Sequence, residues 1–265
     1  MPFTVSHAAA VLPFTRPLAR WRVLSAALMG SMVPDFHIFA PWRMDRFETH
    51  SFMALFTFSL PVGLLGYWLF QYLIKVPLIE LLPDGAFARW QASGGPAPIE
   101  SLKQWMLAAS GVLVGALTHL IWDAFTHEGA RGVRMLPIQD EGFFYFGHHH
   151  LPFARAMQDA SSLIGLVLVV IFVGYALRPG KAAPGLPRLI AVGERRLWLC
   201  AIVLGSFALW AAFLFASPYL GYGYNRVGWL VYGSAISSLR ALGAAAILFA
   251  ALVQLRLRAL AARST

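Results

Sequence analysis

The chain has 265 residues, of which 58% are hydrophobic and only 12% charged, with a mean hydropathy of +0.64. A soluble domain carries about 25% charged residues, so this composition excludes a soluble globular enzyme and indicates a polytopic membrane protein. The formal net charge of +9 comes from basic residues at the ends of apolar runs, not clustered with exposed aromatics, which is the positive-inside pattern and not a nucleic-acid surface.

The first seven residues, Met-Pro-Phe-Thr-Val-Ser-His7, lack the basic start and apolar core of a signal peptide. A retained amino terminus, with His7 in it, is therefore expected. Ser6 can cap a helical turn from His7 to Leu12, after which Pro13 and Pro17 interrupt the pattern and Arg16, Arg20 and Arg22 follow. The apolar stretch Val23 to Val33 is shorter than the ~20 residues of a span. Ending at Pro34-Asp35, it reads as an interfacial, re-entrant or protein-buried helix that delivers Asp35 and His37.

From Ser51 to Ile74 there is no charge. This run is long enough for a first span, with a kink expected at Pro61 and His50 at its start. The loop from Lys75 to Lys103 carries two turn clusters, Leu82-Pro-Asp-Gly85 and Ser93-Gly-Gly-Pro96, and leads into a second span from about Gln104 to Trp122. Consecutive spans run antiparallel, so His50 and the end of this second span belong to one membrane face. That end reads Thr-His119-Leu-Ile-Trp-Asp123-Ala-Phe-Thr-His127, with three metal-ligand side chains at four-residue spacing on one helical face. The same row runs back through Gly115 and Gly111, small enough for another helix to approach closely.

A polar, aromatic segment from Glu128 to Asp159 follows and contains Gly147-His-His-His150. A third span is expected from about Ala160 to Leu177, preceded by Gln158 and opened by Ser161 and Ser162, and a fourth from about Leu197 to Phe215. The one cysteine, Cys200, lies in that apolar run, which leaves no disulfide framework and no thiolate metal site. The last apolar segment, Val227 to Leu255, holds Arg240. This is either a functional charge within the bilayer or a side chain that snorkels to the interface.

The expectation is an all-α polytopic membrane protein with about five transmembrane helices plus short amino-terminal interfacial or re-entrant helices. Residues 1–165 form a membrane-embedded region with the candidate site, and residues 166–265 comprise the rest of span three, a basic linker and two carboxy-terminal spans. The linker Arg178–Arg196 has five basic residues and the tail has Arg256, Arg258 and Arg263. Positive-inside places both in the cytoplasm of an inner membrane and, counting back, the His/Asp cluster on the extracytoplasmic face. Arg16, Arg20, Arg22, Arg43 and Arg46 then lie on the cluster's side, against the rule.

The candidate metal ligands are His7, Asp35, His50, His119, Asp123, His127 and His150, with His37 a ligand or a hydrogen bonder behind one. Burying such groups unsatisfied would cost several kcal/mol. A divalent cation satisfies them, and a set of nitrogen and oxygen donors suits zinc first, then manganese or iron. The set exceeds what one tetrahedral zinc needs, so either Asp123 bridges two ions or some members support the ligands from behind.

His7, Val33-Pro-Asp-Phe-His37, Thr49-His-Ser51 and Gly115-Ala-Leu-Thr-His-Leu-Ile-Trp-Asp123 together resemble bacterial membrane-bound metal-dependent hydrolase-like proteins. The opening Met-Pro-Phe-Thr-Val-Ser-His and the segment Leu117 to Gly129 more closely resemble the bacterial DUF4184 family. The resemblance covers roughly the first 165 residues. It implies metal-site positions at His7, Asp35, His50, His119 and Asp123, and a further motif at Gln158, Ser161 and Ser162. The chain departs from the hydrolase-like signature in having Phe36-His37 after Asp35, and Glu48 in place of an Arg-Gly pair before Thr49.

The function expected from these features is metal-dependent hydrolysis at the bilayer surface, on a phosphoester or ester of a membrane lipid or lipid-linked molecule. Glu128 is the candidate general base, and Arg131, Arg134 or Arg240 are candidates to hold an anionic group. The alternatives are a metal transporter or sensor, a haem protein and a non-catalytic structural protein. Ligands gathered at span ends and the lack of an internal repeat weigh against transport. No feature of the sequence specifies an oligomeric state.

Overall fold

A computed structural model describes residues 4–39, 44–92, 99–136, 144–146, 149–179, 188, 190–216 and 234–263. Among these residues the elements are helices and one hairpin of two short antiparallel strands, β1 (Phe144–Phe146) and β2 (His149–Leu151). Among the described residues five helices are long and apolar enough to cross a membrane: Leu55–Glu80, Leu102–Thr126, Phe153–Ala176, Val192–Ala212 and Ile236–Arg256. The protein is thus an integral membrane protein by the length and composition of its helices.

In chain order, a 3-10 segment (Thr4–Phe14) runs into α1 (Thr15–Arg20) and α2 (Leu24–Gly30). A second 3-10 segment (Val33–Phe39) and α3 (Arg46–His50) then precede the first spanning helix. That helix contains two π-helical stretches, Leu55–Ser59 and Phe70–Ile74, around a regular α-helix, α4 (Leu60–Leu69), and it finishes as α5 (Lys75–Glu80). Pro61, which lacks an N–H to donate, lies in the first turn of α4, just beyond the wider π turn. Next come α6 (Asp84–Ala92), α7 (Leu102–Thr126), α8 (Arg131–Met135), α9 (Phe153–Ala176), α10 (Val192–Ala216) and α11 (Ser234–Arg263).

The chain forms two compact units. One comprises residues 1–67 and 99–176, the other 68–98 and 177–265. In the first unit the small-residue face of α7 packs on α2. A Cβ built on Gly115 would stand 2.0 Å from the Ala27 carbonyl oxygen, and one on Gly30 would stand 2.2 Å from that of Val112. Two backbones in such contact tolerate no side chain between them, which is why glycines occupy the crossing. Ala26 and Ala27 are fully buried, so α2 is protein-buried. Around the crossing, Tyr67, Ala108 and Val112 form the apolar core with Ala26.

The amino-terminal 3-10 segment is buried along His7, Ala8, Ala9 and Val11. It meets α9 at Gly165, where a Cβ would come 2.8 Å from the Ser6 carbonyl oxygen. His7 is thereby carried into the interior. α7 starts with a capping box: Ser101 Oγ accepts from the Gln104 backbone, and Gln104 Oε1 accepts from the Ser101 N–H.

In the second unit Ile190, Phe249 and Val253 pack with Leu78, Leu81, Trp198 and Ile202. The end of α5 is capped by arginines: Arg188 donates to the Glu80 and Leu82 carbonyls at 2.9 Å each, and Arg195 donates to Leu82 at 2.9 Å. Arg240 lies one turn into the fifth candidate span, near its end and away from its middle. Cys200 is a free, exposed thiol.

Candidate metal centre

Four elements of the first unit converge on one point. The 3-10 segment after α2 brings Asp35, α3 brings His50, the last two turns of α7 bring His119 and Asp123, and the amino-terminal segment brings His7. His127, the residue at which α7 ends, leaves the helix with an extended backbone and turns back towards Asp123. α3 is held in place by its own capping box, in which Phe47 donates to Asp45 Oδ1 at 3.0 Å and the Asp45 N–H donates to Glu48 Oε2 at 3.1 Å. Arg46 and His50, four residues apart, therefore share one face of α3.

The separations at the centre are short and nearly uniform. His50 Nε2 lies 3.3 Å from His119 Nε2, 3.4 Å from Asp35 Oδ1 and 3.6 Å from Asp123 Oδ2. His119 Nε2 lies 3.7 Å from Asp35 Oδ1 and 3.5 Å from Asp123 Oδ2. Four donors placed 2.0–2.2 Å from a tetrahedral zinc stand about 3.3–3.6 Å from one another. The spacing fits a cation of that size.

Hydrogen bonding behind the rings fixes which nitrogen faces inward. His119 Nδ1 lies 2.7 Å from the Ser31 carbonyl oxygen, which can only accept, so Nδ1 carries the proton. The Thr49 hydroxyl donates to the Arg46 carbonyl at 3.2 Å and is left to accept from His50 Nδ1 at 2.8 Å. In the neutral rings both Nε2 atoms are then lone pairs, aimed at each other and at two carboxylates. Apart from the Arg46 N–H on Asp123 Oδ2, no proton lies between these four acceptors, an arrangement that a further cation relieves; backbone and hydroxyl partners behind metal-bound histidines are the arrangement that tunes such sites.

A second, looser set adjoins the first. His7 Nε2 is 3.6 Å and His127 Nδ1 3.3 Å from Asp123 Oδ1, so Asp123 faces the first set with one oxygen and the second with the other. Among the described residues neither His7 Nδ1 nor Asp123 Oδ1 has a hydrogen-bond partner, although both are buried. The His7 ring stacks on His119 at 3.7 Å. Gln158 lies 2.9 Å from His127 Nε2 and fixes that ring from behind, while Ser162 donates to the Gln158 carbonyl at 2.6 Å. Trp122 donates to Ser161 Oγ at 3.2 Å.

Burial sets the charges outside the spanning helices. It drives His7 down to about 4, helped by His119, and is the main cause of His127 falling to about 4. His50 is lowered as well, again mainly by burial. For Asp35 burial acts upward, but the contact with His50 and the neighbouring imidazoles outweigh it and hold the carboxyl well below the usual carboxylate range. At neutral pH His7, His50 and His127 are thus neutral and Asp35 is ionised, the protonation states a metal requires.

Over residues 1–252 the sequence matches the family described as a domain of unknown function, DUF4184. The chain belongs to the DUF4184 family. No curated protein and no solved structure matches it. The cluster in this DUF4184 chain is accordingly interpreted from its own geometry.

Of the residues singled out from the sequence, His7, Asp35, His50, His119, Asp123 and His127 come together. His37 stands behind the cluster: its Nδ1 is 3.0 Å from the Pro34 carbonyl and 3.4 Å from Thr49 Oγ1. His150 lies on β2 opposite Tyr145; its side chain, like His148 altogether, falls outside the described residues. Glu128, Arg131 and Arg134 are exposed beyond the end of α7, and among the described residues none of them pairs with the cluster. Arg240 belongs to the other compact unit.

Arg46 is the member that sequence reasoning passed over. Its Nη2 lies 2.5 Å from Asp123 Oδ2, with the arginine side chain 39% exposed and the aspartate 8%. Two signals for it were present in the sequence: the four-residue step from Arg46 to His50, and the Asp45-x-x-Glu48 capping box that starts a helix there. The roles of Ser31 and Thr49 left no such trace, because a backbone carbonyl carries no side-chain signature and a threonine in a helix is ordinary.

Proposed function

We propose that this protein is an integral-membrane metal-dependent hydrolase that cleaves a phosphoester or ester of a lipid or lipid-linked molecule at the bilayer surface. The observation that carries the proposal is the meeting of His50 Nε2, His119 Nε2, Asp35 Oδ1 and Asp123 Oδ2 at 3.3–3.7 Å, with both ring protons directed away from the centre. These four residues hold a divalent cation, zinc by donor chemistry, and Asp123 with His7 and His127 offers room for a second. A cation bound there acidifies water towards neutral pKa and polarises a phosphoryl or acyl oxygen.

The chain's own groups supply the rest. Ser31 and Thr49 lock the two imidazoles, so the donors need little rearrangement on loading. With only the first cation bound, Asp123 Oδ1, buried without a hydrogen bond among the described residues, accepts the proton of the attacking water as the new bond to phosphorus or acyl carbon forms and the bond to the leaving oxygen breaks. Location supports a substrate held in the bilayer: the ligands sit at the ends of spanning helices and beside them, not at their middles. The basic linker and tail favour an extracytoplasmic face for the site in a bacterial inner membrane.

The test is the metal content of detergent-purified protein, measured by elemental mass spectrometry for wild type, His119→Ala and Asp123→Ala, followed by turnover of chromogenic phosphodiester and carboxylester substrates. Stoichiometric metal in wild type, lost in both variants together with turnover, is expected. Wild-type protein that takes up no metal at micromolar concentration refutes the proposal and leaves a polar helix-packing network.

A further inference from the structure

Arg46 is the one lysine or arginine that touches the cluster among the described residues. Its position is that of a group at a mouth: 39% of its side chain is exposed, against 0% for His119 and 8% for His50. A guanidinium has five N–H donors in a planar fork, and among the described residues Asp123 is the group that Arg46 engages. The capping box of α3 holds Arg46 at this position, as it holds His50 on the same helical face. Charge balance sharpens the point. Asp35 and Asp123 together neutralise a divalent cation, so once Asp123 Oδ2 serves the metal, the arginine charge is left without its carboxylate partner at the mouth of the site. A neutral ester leaves that charge uncompensated, whereas a phosphoryl group accepts a guanidinium through two parallel hydrogen bonds.

The surroundings of Arg46 indicate what carries the phosphoryl group. Phe47 on α3 is 82% exposed, and Phe52 and Met53 in the following turn and Phe56 at the start of the first spanning helix are exposed as well. Phe52 and Phe56 meet edge to face at 5.9 Å. With Phe47 next to Arg46 in the chain and Phe52, Met53 and Phe56 leading into the span, these exposed side chains offer an apolar shelf near the mouth, which suits hydrocarbon.

We propose that Arg46 is the residue that grips the substrate, and that the substrate is an anionic phospholipid whose phosphoryl group pairs with Arg46 while its hydrocarbon lies on the shelf of Phe47, Phe52, Met53 and Phe56. This rests on the metal-dependent reading above. Arg46 makes the site selective for charge, and the shelf makes it selective for lipid.

The experiment is calorimetric titration of the zinc-loaded full chain in neutral detergent with three probes: dioleoyl phosphatidic acid, inorganic phosphate and dioleoylglycerol. Each is repeated on Arg46→Gln and Arg46→Lys, with metal content measured for every sample. Wild type is expected to bind phosphatidic acid most tightly, phosphate more weakly and dioleoylglycerol not at all. Arg46→Gln should weaken binding of phosphatidic acid and phosphate by roughly 10- to 100-fold, the loss expected for a charge-assisted contact. Arg46→Lys should recover part of it, and both variants should keep their metal. Metal-loaded Arg46→Gln that binds phosphatidic acid like wild type overturns the inference and leaves the metal reading intact. Phosphate bound as tightly as phosphatidic acid overturns the lipid assignment. Loss of metal from both variants makes Arg46 a support for Asp123 and overturns its substrate role. A wild-type chain that loads no zinc overturns the metal reading itself.

Discussion

Gly115→Ala tests whether helix packing and the candidate site are one construction. The added Cβ would stand 2.0 Å from the Ala27 carbonyl oxygen and 2.7 Å from the Ser31 backbone nitrogen, where ordinary contact begins near 3.4 Å. Both obstacles are backbone, so no side chain can swing aside and α2 must part from α7 by more than about 1 Å. Overpacking of this kind costs about 1–3 kcal/mol. The same displacement carries Ser31 away from His119, whose Nδ1 now lies 2.7 Å from the Ser31 carbonyl, and loss of that buried hydrogen bond adds about 1 kcal/mol. The expected total is about 2–4 kcal/mol, together with weaker metal binding because the His119 ring loses the partner that orients it. Thermal unfolding in detergent, read by tryptophan fluorescence, and elemental analysis of the same sample measure the two effects. Gly174→Ala, at a helical position with nothing within 4 Å, is the control and should gain about 0.5–1 kcal/mol from helix propensity alone. If Gly115→Ala unfolds like wild type and keeps full metal, the proposed link between crossing and site is wrong.

Thr49→Val removes a fully buried hydroxyl while keeping its shape, and should reduce metal affinity about 10- to 100-fold in a chelator competition without loss of fold; unchanged affinity would show that Thr49 does not orient His50. In the metal-free protein, stability should rise with pH between about 4 and 6.5. His7 and His127 hold pKa values near 4 in the fold against 6.5 as free side chains, so the unfolded chain binds more protons in that window. A melting temperature that is flat across it would count against the buried neutral rings. Arg188→Ala removes the cap on the Glu80 carbonyl and one of the two on Leu82, which Arg195 still caps, and should destabilise by about 1–3 kcal/mol; melting curves and elemental analysis together should show lower stability with unaltered metal content.

Much of the site follows from local periodicity. His119, Asp123 and His127 recur every four residues, so any helix through them gathers them near one face, and the same row of Gly111 and Gly115 announces a close crossing. Uncharged runs announce the spans, because a bilayer accepts few charges. Antiparallel succession of the first two spans puts His50 beside His119, as found at 3.3 Å. What the sequence by itself determined, then, is the set of spanning helices, the polar end of α7 and the chemical type of the donors; α5 and α6 lie where a loop is expected from Lys75 to Lys103.

Tertiary structure decided the rest. Which helix fills the notch at Gly115, that the Ser31 carbonyl meets His119 Nδ1, and that Arg46 rests on Asp123 all depend on the turns between Gly30 and Leu55, where no period constrains the path. The partition of residues 68–98 with the carboxy-terminal half is likewise invisible in hydropathy, which scores each segment alone. The physical reason is that helix formation and membrane insertion are summed over neighbouring residues, whereas a metal centre depends on ångström distances between groups 77 and 88 positions apart in the chain, and only the packed chain specifies those.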